Sequence, residues 1–190
     1  MTIVQFMAHS SGKWVSHRTR YPLLAAESRT QSEKITLFQE HLPPTSALVV
    51  ELCNKGNVDP QSALGGLLTR WDKATGRSAG SSLYVPLEPG TTLDPASIPS
   101  TLEQSQGDPF LWRVSGQGVN LGRYKQQNDG WVWITAQAGI CTEERIWFPG
   151  ENLRLRSSLS HPELRHHGDQ TYGHVSFYSE ILMGAAGTKP

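Results

Sequence analysis

ICTEERIWFPGENLRLRSS, residues 140–158, is two extended runs broken at Pro149-Gly150. Strand side chains alternate between faces. Leu153 and Leu155 therefore share one face, and Arg154, Arg156 and Ser158 share the other. In the preceding run Glu144 falls with Ile146 and Phe148, while Glu143 falls with Arg145 and Trp147. One face of each run thus mixes charge into an apolar setting. Either the arginines point to solvent and the leucines inward, or the arginines line a cavity. In the second case two guanidiniums sit about 6.5–7 Å apart, a spacing that suits paired carboxylates. Glu144 is either a surface residue beside a Glu143–Arg145 pair or a buried carboxyl whose pKa would rise and suit proton exchange.

The same rhythm runs through the chain. Residues 14–19, 34–39, 64–71, 81–87, 111–114, 121–124, 131–135 and 175–182 also read as strands. Gly, Pro, Asn and Asp clusters separate them at short intervals, as in an antiparallel meander, a barrel or a sandwich. Helices are expected at 2–10, with Ile3, Phe6 and Met7 on one face and Gly12 as a stop, and at 47–53. Asp59-Pro60 opens a short helical turn. Residues 88–109 and 160–173 read as long loops, and 185–190 as a flexible tail. Gly12-Lys13-Trp14 is either a core Trp of any β protein or, as the resemblance of this Gly-x-Trp to the calycin superfamily implies, an indole that plugs one end of a small barrel, with Gly12 letting the helix pass close by. The strand rhythm implies an all-β fold; the resemblance of Gly12-Lys13-Trp14 to the Gly-x-Trp of the calycin superfamily implies one up-and-down antiparallel barrel of about ten strands over residues 1–184, with short N-terminal and flanking helices.

Composition narrows the function. The 190 residues carry 17 basic and 17 acidic side chains, so the basic excess of a nucleic-acid binder is missing. Charged residues make up 18%, below the usual ~25%, yet 37% are hydrophobic and six are Trp, which fits a globular chain. Eighteen Gly and twelve Pro argue against a helical bundle. Cys53 and Cys141 fit no zinc spacing and read as buried thiols of a reducing compartment. No apolar run reaches the ~20 residues of a membrane helix, and the start has no signal-peptide pattern. His161, His166, His167 and His174 have no ligand spacing, so no metal site is expected. There is no nucleophile elbow, phosphate loop or dinucleotide fingerprint.

Taken together, these stretches resemble the S-type phycobiliprotein lyases, the CpcS/CpeS chromophore lyase family, whose fold is similar to that of the lipocalins and fatty-acid-binding proteins. The resemblance rests on SSGKWVSHRTRYPL (10–23), VVELC (49–53), GSSLYVPL (80–87), CTEERIWFPGENLRLRSS (141–158) and FYSEILMG (177–184). It implies an enzyme that binds an open-chain tetrapyrrole, phycocyanobilin or phycoerythrobilin, as substrate. It attaches that phycobilin through a thioether to a cysteine of an apo-phycobiliprotein subunit: phycocyanin, allophycocyanin or phycoerythrin. No permanently bound cofactor is implied, and the location would be the cyanobacterial cytosol or plastid stroma. A homodimer or a homologous lyase subunit is a further possible partner. At matching positions it implies bilin binding by Arg18, Trp71, Glu144, Arg154, Arg156 and Ser158, with Glu144 also the catalytic candidate. Relatives commonly carry a second Trp soon after the first, where residues 73–80 hold no aromatic. The alternative is a non-catalytic barrel carrier of a fatty acid or bilin, acting as a chaperone.

Overall fold

A computed structural model describes residues 1–23, 30–73, 79–100, 102, 107–116, 118–162 and 173–184. The chain starts with α1 (Ile3–Ser10), followed by strands β1 (Gly12–Pro22) and β2 (Gln31–Leu42) and helix α2 (Ala47–Lys55). Eight strands follow: β3 (Gly66–Lys73), β4 (Ala79–Pro86), β5 (Phe110–Ser115), β6 (Gly118–Gln127), β7 (Gly130–Gln137), β8 (Ile140–Gly150), β9 (Leu153–Pro162) and β10 (His174–Met183). Each strand pairs with its sequence neighbour, and β1 pairs with β10, so the sheet closes into the expected ten-stranded antiparallel barrel. Closure removes the sheet edges that would otherwise template aggregation.

Both helices form where their apolar faces require them. Thr2 and Gln5 make a reciprocal cap on α1: the Gln5 amide donates to Thr2 Oγ1 at 3.2 Å, and the Thr2 amide donates to Gln5 Oε1 at 2.8 Å. That helix turns Ile3, Phe6 and Met7 into one end of the barrel. The Phe6 ring meets those of Trp133 and Phe148 at centroid distances of 5.8 and 5.6 Å. In α2, Val49, Leu52 and Cys53 are buried. They pack on the outside of the barrel against Leu68, Leu83 and Val85. Hence the wall from β3 to β7 is covered on both faces. Asp59 caps the short turn at Pro60–Ser62, as its Asp-Pro signature implies.

Two expectations need correction. Residues 88–109 are more than a loop: a 3₁₀ turn spans Pro95–Ser97, Leu102 is fully buried, and Leu93 and Ile98 pack on the outer core. The 160–173 loop starts late, because β9 continues to Pro162; residues 163–172, including His166 and His167, lie outside the described residues, as does the tail at 185–190.

Trp14 is fully buried, and its Nε1 donates to the Ser10 carbonyl at 2.8 Å, tying the end of α1 to the first strand. Gly12 serves a different purpose from the one its sequence context suggests. Its φ is +132°, and a Cβ there would lie 2.7 Å from Leu182 Cδ1. Glycine is required by backbone conformation and by β10, not by the passing helix. Trp14→Ala should lower stability by about 3–5 kcal/mol, read from urea unfolding midpoints. A loss below about 1 kcal/mol would mean the indole is not a structural plug.

Candidate binding site in the barrel bore

The barrel encloses a cavity of about 350 Å³, within the range of small-molecule sites. Its walls divide by chemistry. Phe6, Trp71, Tyr84 and Trp133 supply aromatic surface; Arg18, Arg113, Glu144, Arg154 and Arg156 supply charge. Tyr84 and Trp133 lie against one another, with ring centroids 4.5 Å apart. Trp71 is seated over Gly80 of the neighbouring strand, where a Cβ would come within 2.4 Å of the indole.

The strand parity of β9 decides the question left open by the sequence. Arg154 is only 3% exposed, so the arginines face inward. Charges inside a barrel must be paired, since their desolvation costs several kcal/mol each. The partner is Glu180 on β10, which is fully buried and in register with Arg154. Arg154 Nε donates to Glu180 Oε2 at 2.5 Å, and Arg154 Nη1 donates to Gln39 Oε1 at 2.6 Å. The same guanidinium stacks over Trp14 at 4.5 Å. Arg156 is held more loosely: Nη2 donates to Glu180 Oε1 at 3.2 Å and Nη1 donates to Glu144 Oε1 at 3.4 Å. It lies over the Tyr178 ring at 3.8 Å. Ser16 Oγ completes the Glu180 shell at 3.1 Å.

Burial alone would raise the Glu180 carboxyl. The Arg154 and Arg156 guanidiniums, with hydrogen bonds from Arg154 and Ser16, more than offset that and hold it below the usual carboxylate range. Burial would likewise discharge Arg156, but Glu180, Tyr178 and Glu144 together push its pKa upward. The Tyr84 phenol is raised by burial and then by Glu144, so it stays neutral.

The six residues implied by the resemblance are therefore spread along one bore. Glu144, Trp71, Arg154, Arg156 and Arg18 line it. Ser158 is buried beside it, in register with Glu144. Arg18 is ion-paired with Glu33 near the end of the bore lined by β1 and β2. No Glu143–Arg145 pair forms; Arg145 turns to Asp129 at 3.5 Å. Tyr84, Arg113, Trp133, Tyr178 and Glu180 were not singled out from the sequence, although Tyr84, Tyr178 and Glu180 fall inside stretches that carry the resemblance. Cys53 and Cys141 are buried and not disulfide-bonded, and burial pushes the Cys53 thiol up. Among the described residues no His, Cys, Asp and Glu group could hold a metal ion, and no helix is long and apolar enough to cross a membrane.

A larger recess of about 1020 Å³ lies outside the barrel, between α2 and the outer faces of β3 to β6. Its floor is apolar, with Leu52, Leu68, Leu83 and Val114. It holds none of the Arg–Glu network, so size does not make it the chemical site.

A family model described as CpeS-like protein matches residues 2–183. The chain belongs to the CpeS-like family. It is 32% identical over 192 residues to chromophore lyase CpcS/CpeS of Thermosynechococcus vestitus, covering 97% of this chain and 94% of that protein. It is 31% identical over 160 residues to chromophore lyase CpcS/CpeS 2 of a Synechocystis strain, covering 83% and 80%. In fold it is similar to the S-type phycobiliprotein lyase CPES of Guillardia theta, with a TM-score of 0.71 over 97% of this chain and 94% of that one, at 19% identity. The CpeS-like barrel is thus the scaffold on which this charged bore is built.

Replacing Glu180 tests the network. Glu180→Gln leaves the buried Arg154 without its counter-charge and the partly buried Arg156 with Glu144 alone, and should cost about 3–5 kcal/mol near neutral pH. Because the folded carboxyl is held below its unfolded value of about 4.3, its stabilisation is complete above that pH and is lost as pH falls through the folded value. The gap between parent and variant in urea unfolding should narrow on acidification below about pH 4. A gap constant with pH would mean Glu180 is not ionised in the folded protein.

Proposed function

We propose that the protein is a bilin lyase that takes a phycobilin, phycocyanobilin in the first instance, into the barrel bore and delivers it to a cysteine of an apo-phycobiliprotein subunit. The observation that carries this reading is the inward pair Arg154 and Arg156 with Glu144, set among Tyr84, Trp133 and Trp71. An open-chain tetrapyrrole offers matching groups: a conjugated face, two propionates and pyrrolic N–H donors. A fatty acid has one carboxylate and would leave most of this polar lining without a partner.

The chemistry asks for no nucleophile from this chain. The acceptor's thiol loses its proton, and its sulfur forms a bond to the ethylidene carbon of ring A. The C=C electron pair moves onto the neighbouring carbon, which takes up a proton. The sum is addition of S–H across a double bond, with no change in oxidation level beyond that addition. What the barrel supplies is orientation and shelter from solvent. In this reading Glu144, which is hydrogen-bonded to Arg156 and in register with Trp133, accepts from pyrrole N–H groups and exchanges a proton with the chromophore. The bilin is a substrate here, not a resident cofactor.

Mixing the protein with phycocyanobilin and apo-phycocyanin, apo-allophycocyanin or apo-phycoerythrin subunits tests the reading. A red-absorbing complex followed by bilin that stays on a denatured subunit is expected. A bound bilin that never becomes covalent would assign the protein to the carrier class, and no spectral change would reject bilin binding. Glu144→Gln should keep most of the binding but blue-shift the bound absorption and slow transfer at least tenfold. A spectrum and transfer rate equal to the parent's would remove Glu144 from the mechanism.

A further inference from the structure

The bore holds more donors than its carboxylates can satisfy. Four arginines reach it. Arg18 pairs with Glu33, Arg154 with Glu180, and Arg156 with Glu180 and Glu144. Arg113, on β5, has no ion pair among the described residues. Its guanidinium rests over the Tyr84 ring at 5.6 Å, and its Nε is buried without a hydrogen-bond partner. Directly across the β5–β6 ladder sits Asn120, 8% exposed, whose Nδ2 is also buried and unpartnered. Arg156 Nε and Trp133 Nε1 complete a set of four buried donors with no acceptor. Buried donors are normally satisfied, because each one left bare costs about 1–3 kcal/mol. Three of them line one cavity, with Asn120 in register beside Arg113, and together with one uncompensated positive charge they describe a site shaped for an anionic, acceptor-rich ligand.

The walls are separate. Arg156 comes from β9 and Arg113 from β5, strands that are not neighbours in the barrel. Both line the bore with Tyr84: Arg113 lies over that ring at 5.6 Å, and Arg156 lies over Tyr178 at 3.8 Å. Arg154 has two of its three nitrogens engaged by Glu180 and Gln39, so it chiefly holds Glu180 in place.

We propose that Arg113, with Asn120 beside it, is a second carboxylate subsite of the bore, so that the two acid groups of the ligand are taken from separate walls by Arg113 on β5 and Arg156 on β9. This rests on the tetrapyrrole reading above, whose ligand carries two propionates.

The experiment compares phycocyanobilin with its dimethyl ester, which keeps the conjugated face but not the charges. Each is titrated into the parent, Arg113→Met and Arg113→Lys, with binding read from absorbance. Arg113→Met should weaken the diacid about ten- to hundredfold and leave the diester unchanged, because only charged hydrogen bonds are lost. Arg113→Lys should recover part of the difference, as it keeps charge but not the forked geometry. Should Arg113→Met fail to fold, Arg113→Gln reads the same diacid–diester difference. Equal weakening of both ligands, or of neither, would overturn the assignment while leaving the proposed function intact. A parent that takes up neither ligand would overturn the proposed function and this assignment with it.

Discussion

A carboxylate with no access to water, Glu180, sits between two guanidiniums, and much of the bore follows from that contact. Arginines placed inside a barrel must find a counter-charge or leave. Glu180 binds Arg154 through one oxygen and Arg156 through the other, so both are kept inward and near each other. Arg154 is then locked further by Gln39 and by the Trp14 face. Such a network contributes little net stability compared with an apolar core of the same volume. Its product is a fixed arrangement of charge in a setting of low dielectric, where a ligand's own charges count for most.

The rest of the barrel preserves that arrangement. Helix α1 fills one end with Phe6 and Met7, and Trp14 fastens the helix to β1. Helix α2, with Leu93, Ile98 and Leu102, packs on the outer face from β3 to β7. Hydrophobic burial outside the wall therefore stabilises the sheet, and the inside is left able to carry polar groups. Two cores serve one bore: an aliphatic one outside, with Val49, Leu52 and Leu87, and an aromatic one inside, with Phe6, Tyr84, Trp131 and Trp133.

Strand alternation made much of this legible in advance. The hairpin at 140–158 put Arg154, Arg156 and Ser158 on one face and Glu144 on another with Ile146 and Phe148, and the structure turns both sets into the barrel. Which way the arginines faced was not legible, because parity alone cannot tell inside from outside. Glu180 was hidden by the inverse pattern of β10. There Ser176, Tyr178 and Glu180 point inward, while Phe177, Ile181 and Met183 are about half exposed. A rule that sends apolar residues inward reads that strand backwards. Arg113 was hidden for another reason. Its neighbours Trp112 and Val114 are covered by the outer core, so β5 shows no alternation of polar and apolar residues. In the 88–109 segment, Leu93, Ile98 and Leu102 are spaced without period, so their packing could not be foreseen from spacing.

The central claim is that the bore, not the larger recess beside α2, is where the tetrapyrrole goes. A crystal structure of the protein with phycocyanobilin tests it most directly. The conjugated rings are expected against Tyr84 and Trp133, with the carboxylates within hydrogen-bonding distance of Arg156 and Arg113. A bilin lying in the recess against Leu52, Leu68 and Leu83, with the Arg–Glu network untouched, would contradict it.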